Sequence, residues 1–302
     1  MHKTLLTPST LSQHVNDPSW VVIDCRFDLA DPGKGEIQYR AGHIPGARYA
    51  HLDRQLSGPK TGTNGRHPLP DSDVLCRTFS ELGIGPHMQV VAYDADSSMY
   101  AGRLWWMLRW MGHDAVAVLD GGLARWQREG HPVRGGVESS TAAHFRGSPR
   151  PGWRLTVDEV ATGLSNSSRL LVDSRTPERY RGIGETLDKV GGHIPGASNY
   201  FFQQNLTEDK TFKSPEALRA QWAPILQGRE AKNTVVYCGS GVTACHNLLA
   251  LEHAGIHGVK IFPGSWSEWS ADPARPIATS EDEWIGAARA PRAKRANQGS
   301  LF

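Results

Sequence analysis

The chain has 302 residues, with 33 Lys and Arg against 31 Asp and Glu, a net charge of +2, and 39% hydrophobic residues. That length accommodates two ordinary domains with buried cores, and the composition excludes a wholly disordered chain. The near-neutral balance gives no reason to expect nucleic acid or an anionic membrane surface as the main partner.

In chain order, the first twenty residues lack the charged-then-apolar pattern of a secretory signal, and no apolar run approaches the roughly 18 residues of a membrane span. The expected location is the cytoplasm, and no membrane partner is expected. Val21-Val22-Ile23-Asp24-Cys25-Arg26 and Val90-Val91-Ala92-Tyr93-Asp94 are short β-branched apolar runs of the strand type. Trp105 and Trp106 lie on a helical pattern and read as core aromatics. From Gly135 to Gly152, Gly, Ser, Pro and Arg replace any hydrophobic periodicity, which marks a boundary.

Beyond that boundary the pattern predicts a helix over Thr156 to Leu164, with Thr156 and Glu159 spaced as a capping box. Further helices are predicted over Pro215 to Gln221 and Val242 to Ala254, and strands over Leu170 to Asp173, Thr234 to Cys238 and Val259 to Phe262. Arg289, Arg292, Lys294 and Arg295 stand in a C-terminal stretch that reads as a solvated, poorly ordered tail.

The two halves answer each other. Val21 to Arg26 corresponds to Leu170-Leu171-Val172-Asp173-Ser174-Arg175, about 150 residues later. Ala41-Gly42-His43-Ile44-Pro45-Gly46-Ala47 returns as Gly191-Gly192-His193-Ile194-Pro195-Gly196-Ala197. Val90 to Asp94 matches Thr234 to Cys238, and Asp120-Gly121-Gly122 through Trp126 matches Pro263-Gly264-Ser265 through Trp269. Four anchors in one order indicate a duplicated domain. The expected architecture is α/β: residues 1–135, a linker at 136–153, residues 154–280 and a basic tail at 281–302. Each of the two domains is expected to be a mostly parallel sheet with helices on both faces.

The sequence Val235-Val236-Tyr237-Cys238-Gly239-Ser240-Gly241-Val242-Thr243-Ala244 carries the chemistry. A strand delivers a cysteine into a Gly/Ser loop and a helix follows, so loop N–H groups and the positive helix end stabilise negative charge on the sulfur. A lone cysteine is more often a buried small hydrophobe. The two glycines and the strand-loop-helix context favour a nucleophile here. The first half has Asp94 in that place, so only the second half can do thiol chemistry. His43 and His193 occur in both halves, which points to a shared task of holding the turn. Cys25, Cys76, Cys238 and Cys245 show no C-x-x-C spacing and suit a reducing compartment. The thirteen histidines form no ligand pair, so no metal or other cofactor is expected. Cys245, two helical turns past Cys238, is expected to face the core.

On the strength of the Val-Ile-Asp strand, the Gly-His-Ile-Pro-Gly-Ala turns, the Asp-Gly-Gly segment and the single cysteine loop, the chain resembles the tandem rhodanese-type sulfurtransferases over about residues 5 to 280. The resemblance implies two rhodanese-like domains, the second one catalytic, and a persulfide on Cys238 as covalent intermediate. Its uncharged loop looks like that of the 3-mercaptopyruvate enzymes, whereas thiosulfate users tend to place basic residues after the cysteine. It implies a relay of Ser240, His67 and Asp53 beside the thiol, with Arg179 meeting the donor's anionic group. Gly239, Gly241, Val242, Thr243 and Ala244 would bind substrate through the loop, and Tyr100 would line the cleft. Arg175 is the candidate structural partner of an acid. Many mercaptopyruvate enzymes carry a second arginine before the second Gly-His-Ile-Pro-Gly turn. Here Leu187-Asp188-Lys189-Val190 stands there, leaving Lys189 as the candidate replacement.

The expected reaction moves a sulfane sulfur from a small-molecule donor to thioredoxin, a small thiol or cyanide. 3-Mercaptopyruvate is the leading donor and thiosulfate the alternative. A cysteine phosphatase or arsenate reductase with a C-x5-R loop needs an arginine where Ala244 stands. A sulfur-carrier or interaction module remains the non-enzymatic alternative.

Overall fold

A computed structural model describes residues 1–139, 141–166 and 168–279; the basic tail expected at 281–302 lies outside the described residues. The first half contains strands β1 (Leu5–Leu6), β2 (Trp20–Asp24), β3 (Arg48–Tyr49), β4 (Gln89–Tyr93) and β5 (Val116–Leu119). Its helices are α1 (Pro8–Ser12), α2 (Lys34–Ala41), α3 (Ser72–Glu81), α4 (Ala101–Trp110) and α5 (Gly122–Arg128). The second half contains β6 (Leu170–Asp173), β7 (Ser198–Asn199), β8 (Thr234–Tyr237) and β9 (Lys260–Ile261). Its helices are α6 (Val157–Thr162), α7 (Pro177–Tyr180), α8 (Pro215–Leu226), α9 (Thr243–His253) and α10 (Ser265–Trp269).

The strands form two sheets, ordered β1-β5-β4-β2-β3 and β7-β6-β8-β9, and every ladder within them is parallel. Strands buried on both faces read as continuous apolar runs, which is why β4 and β8 are Val-rich without polar alternation. Val90 and Ala92 pack on one face of the first sheet, and Val91 and Tyr93 on the other. The same division recurs in the second sheet, where Val236 joins the shared core and Val235 and Tyr237 the outer one.

Strand ends are shorter than expected at β9, and α8 runs five residues past the predicted stop at Gln221. Trp222 is fully buried on that extension. Pro224 is tolerated because it stands in the last turn, where its missing N–H removes one bond. Thr156 caps α6 with both bonds of a capping box. The stretch expected as a linker runs back along the first sheet's helices. Phe145 packs edge-on against Phe79, and Arg150 pairs with Asp114 at 2.7 Å.

The duplicated motifs do duplicated work. Arg26 forks onto Asp24 and donates to the Gly42 carbonyl; Arg175 does the same with Asp173 and Gly192. Arg175 is therefore tied to the Gly-His-Ile-Pro-Gly turn rather than to the cysteine loop. His43 Nδ1 lies 2.7 Å from the Tyr39 carbonyl and His193 Nδ1 2.8 Å from that of Tyr180, so both hold the turn.

The halves share one core along α4 and α9, with Leu104 and Trp105 in the same buried cluster as Cys245 and Leu248. At Gly102 the two helices come close enough that a Cβ there would just reach van der Waals contact with the backbone at Cys245 and His246. Strand β8 ends at this junction, so the residue after it is carried to the line between the domains. Carboxyl ends of parallel strands are where such sheets place ligand sites.

Candidate active site

Cys238 follows β8 directly and is 2% exposed. Its N–H donates to Ser265 Oγ at 3.1 Å, and Ser265 Oγ donates to the Phe262 carbonyl at 2.9 Å. Those bonds fix the start of the loop. Gly241 turns it: φ is +75°, and a Cβ there would lie 2.2 Å from the Pro263 carbonyl oxygen. Only glycine fits both demands. The turn aims the Gly241 N–H at Cys238 Sγ, 3.2 Å away. The sulfur thus carries a backbone N–H donor from a loop that leads directly into α9.

The matching loop of the first half shows what such a turn holds. Asp94, in the place of Cys238, accepts N–H bonds from Ser98, Tyr100 and Ala101 at 2.9, 2.8 and 3.2 Å. A carboxylate fills the inward-facing nest of amides. Burial outweighs those bonds and pushes the Asp94 carboxyl up to about 6.

Ser240 Oγ meets His67 Nδ1 at 2.7 Å across 173 residues of chain, and His67 Nε2 lies 3.5 Å from Asp53 Oδ1. Burial, followed by the charge of Arg103, pushes the His67 imidazole down to about 3. The ring is therefore neutral near pH 7 and carries one proton. With that proton on Nε2 toward Asp53, Nδ1 is left to accept from the Ser240 hydroxyl. Lys60 also reaches Asp53 at 3.0 Å. The three groups proposed as a relay are thus in line, although Asp53 is held more loosely than Ser240.

A pocket of about 50 Å³ opens beside the sulfur, lined by Cys238, Gly239, Ser240, Val242, Thr243, Tyr100, Arg66, Arg179, Leu29, Met99 and Leu187. Tyr100 reaches this lining from the first domain. Gly241 and Ala244 shape the loop from behind, and Ala244 is fully buried. Arg179, at the end of α7, forks onto Glu185 at 3.0 and 2.9 Å and reaches Asp188 at 3.3 Å. Lys189, the candidate replacement for a second arginine, is exposed and does not line this pocket. Its neighbour Asp188 instead turns in and pairs with Arg66 and Arg179.

Sequence reasoning missed Arg66 and Arg103. The first lines the pocket from the first domain and pairs with Asp188. The second, on α4, is 1% exposed and donates to the carbonyls of Leu56, His67 and Gly241 at 2.9, 2.8 and 3.1 Å. Neither belongs to a motif; adjacency to His67 was the one available signal for Arg66. Cys245 faces the core as expected, with Sγ donating to the Gly241 carbonyl at 3.3 Å and its thiol pushed well up by burial.

Residues 7–129 and 156–272 each match the Rhodanese-like domain family. The chain is 43% identical over 279 residues to a Pseudomonas aeruginosa protein described as a "probable 3-mercaptopyruvate sulfurtransferase", covering 92% of this chain and 98% of that one. It is 34% identical over 283 residues to the thiosulfate sulfurtransferase of Rattus norvegicus, covering 89% and 92%. Among solved structures it resembles SseA from Escherichia coli, described as a 3-mercaptopyruvate sulfotransferase, with TM-score 0.76, 30% identity and coverage of 88% and 99%.

Proposed function

The chain belongs to the tandem rhodanese-domain sulfurtransferases, and from that premise we propose that Cys238 takes the sulfur of 3-mercaptopyruvate and hands it to a thiol or cyanide. The observation that carries the donor is the Ser240–His67 contact at 2.7 Å beside the sulfur, because this donor, unlike thiosulfate, leaves as a carbanion equivalent that must be protonated.

In the proposed first step the Cys238 thiolate attacks the donor's sulfur. The sulfur–carbon bond breaks, and its electron pair goes to the donor's carbon to give the pyruvate enolate. The proton that began on the donor's thiol ends on that carbon, which turns the enolate into pyruvate. Ser240 stands at the loop to pass it, with neutral His67 accepting at Nδ1. The Gly241 N–H and the start of α9 hold the anionic persulfide. In the second step an acceptor thiolate or cyanide attacks the outer sulfur, the sulfur–sulfur bond breaks, and the Cys238 thiolate returns. The residue that replaces Cys238 in the first domain, Asp94, supports one nucleophile per chain.

Thiosulfate is the second reading, favoured by the arginines over the pocket. Against it, Arg66 and Arg179 are matched by Glu185 and Asp188, so a dianion finds no large excess of positive charge. The four unpaired cysteines fit work in a reducing compartment such as the cytoplasm. No described helix is long and apolar enough to cross a membrane.

The test is direct. The protein is mixed with 3-mercaptopyruvate or with thiosulfate and weighed by mass spectrometry. One added sulfur atom, formed faster with 3-mercaptopyruvate, is expected; no added mass with either donor sinks the reading.

A further inference from the structure

The two halves differ on one short helix in a way that their shared fold does not require. In the first half the N–H groups of Leu123 and Ala124, on α5, donate to the carbonyls of Asp94 and Ala95, both at 2.9 Å. In the second half those of Trp266 and Ser267, on α10, donate to the carbonyls of Cys238 and Gly239 at the same distance. The backbone pattern thus belongs to both domains, while the side chain at its second position does not: Ala124 stands in one, Ser267 in the other. The added hydroxyl is buried and has work on both sides. Ser267 Oγ accepts the Arg66 N–H at 3.0 Å, across 201 residues of chain, and donates to the Gly264 carbonyl at 3.2 Å. Gly65 lets the first-domain loop come this near. Its φ is +87°, and a Cβ on it would lie 3.0 Å from the Gly264 carbonyl oxygen and 3.1 Å from Ser267 Oγ.

We infer that Ser267 is a positioning residue for sulfur transfer from 3-mercaptopyruvate, because its hydroxyl seats the loop that carries His67 while its N–H holds the residue next to Cys238. This rests on the proposed proton transfer through Ser240. Arg103 pins the loop at the His67 carbonyl, and Ser267 pins it at the N–H of the residue before. A loop held at one point can pivot; held at two, it keeps the His67 imidazole at its 2.7 Å contact with Ser240. Small misplacements of a reacting group cost rate rather than binding. The first domain has no reaction to align, and Ala124 serves it.

The test measures steady-state kinetics with 3-mercaptopyruvate and with thiosulfate in the parent, Ser240→Ala, Ser267→Ala, Gly65→Ala and the Ser240→Ala/Ser267→Ala double variant, with thermal melts to show that each is folded. Ser267→Ala copies the first half's own arrangement, so its fold should hold. It is expected to lower kcat with 3-mercaptopyruvate about tenfold with the donor KM little changed, and to leave thiosulfate turnover nearly intact. Gly65→Ala, which crowds the same hydroxyl from the other side, should show the same donor-selective loss. In the Ser240→Ala background, Ser267→Ala should cost little more, since the contact it positions is already gone. An unchanged kcat in Ser267→Ala, equal losses with both donors, or a full tenfold further loss in the double variant overturns the inference. Failure of the parent reading looks different: Ser240→Ala alone then turns over 3-mercaptopyruvate as fast as the parent, which removes both.

Discussion

The guanidinium of Arg103 donates to the Gly241 carbonyl at 3.1 Å, which ties a helix of the first domain to the loop that holds Cys238. The same group donates to the His67 carbonyl at 2.8 Å. One buried arginine therefore fixes the distance between the nucleophile loop and the histidine beside Ser240.

Arg103→Leu tests that tie. The substitution leaves the carbonyls of Leu56, His67 and Gly241 without their donor, and loss of such a buried group costs roughly 3 kcal/mol. Chemical denaturation should show a lowered midpoint, and kcat for sulfur transfer should fall more than the donor KM rises. A variant as stable and active as the parent would remove Arg103 from both roles.

Cys238→Ser should form no persulfide with either donor while keeping its fold. The readout is intact mass after incubation with donor, set beside the circular dichroism spectrum. Sulfur still added to the variant would mean that another thiol accepts it.

Ser240→Ala separates the donors. Removing a proton-transfer group costs about 10²-fold or more in the step that needs it. That loss is expected in kcat with 3-mercaptopyruvate. Thiosulfate, whose sulfite leaving group needs no proton on carbon, should lose far less. Equal losses with both donors would place Ser240 in loop support alone.

His67 gives the pH dependence. Its imidazole is held down to about 3, against an ordinary value of 6.5. Between those values the unfolded chain binds a proton that the folded chain refuses, so stability rises with pH across that window and is lost as pH falls from 6.5 toward 3. His67→Gln should flatten part of that slope in denaturation series run from pH 7 to pH 4. The fully buried His246, also held near 3, contributes the same sign and remains in the variant. The kcat profile of the parent should show no inflection near 6.5 from His67.

Much of the fold was legible because its signals are local. The short Val- and Leu-rich apolar runs marked β2, β4, β6 and β8, and their repetition announced two similar sheets before any packing was known. The cysteine loop was legible for the same reason, since Gly241 and Ser240 lie within three residues of Cys238. Arg179 followed from the family resemblance. Sequence position alone did not say that Asp188 and not its neighbour Lys189 meets the arginines of the pocket, since which neighbouring side chain a loop turns inward is set by packing.

The sequence by itself determined the duplicated α/β architecture and the rhodanese-type sulfurtransferase family, and it singled out Cys238 as the candidate nucleophile, because each rests on residues close together in the chain. Only the tertiary structure decided which charges surround the thiol. Arg66 meets Asp188 across 122 residues and Arg103 meets Gly241 across 138, so both contacts exist only once α4 has docked on α9. Electrostatic interaction falls off with distance in space, not along the chain, and docking sets that distance.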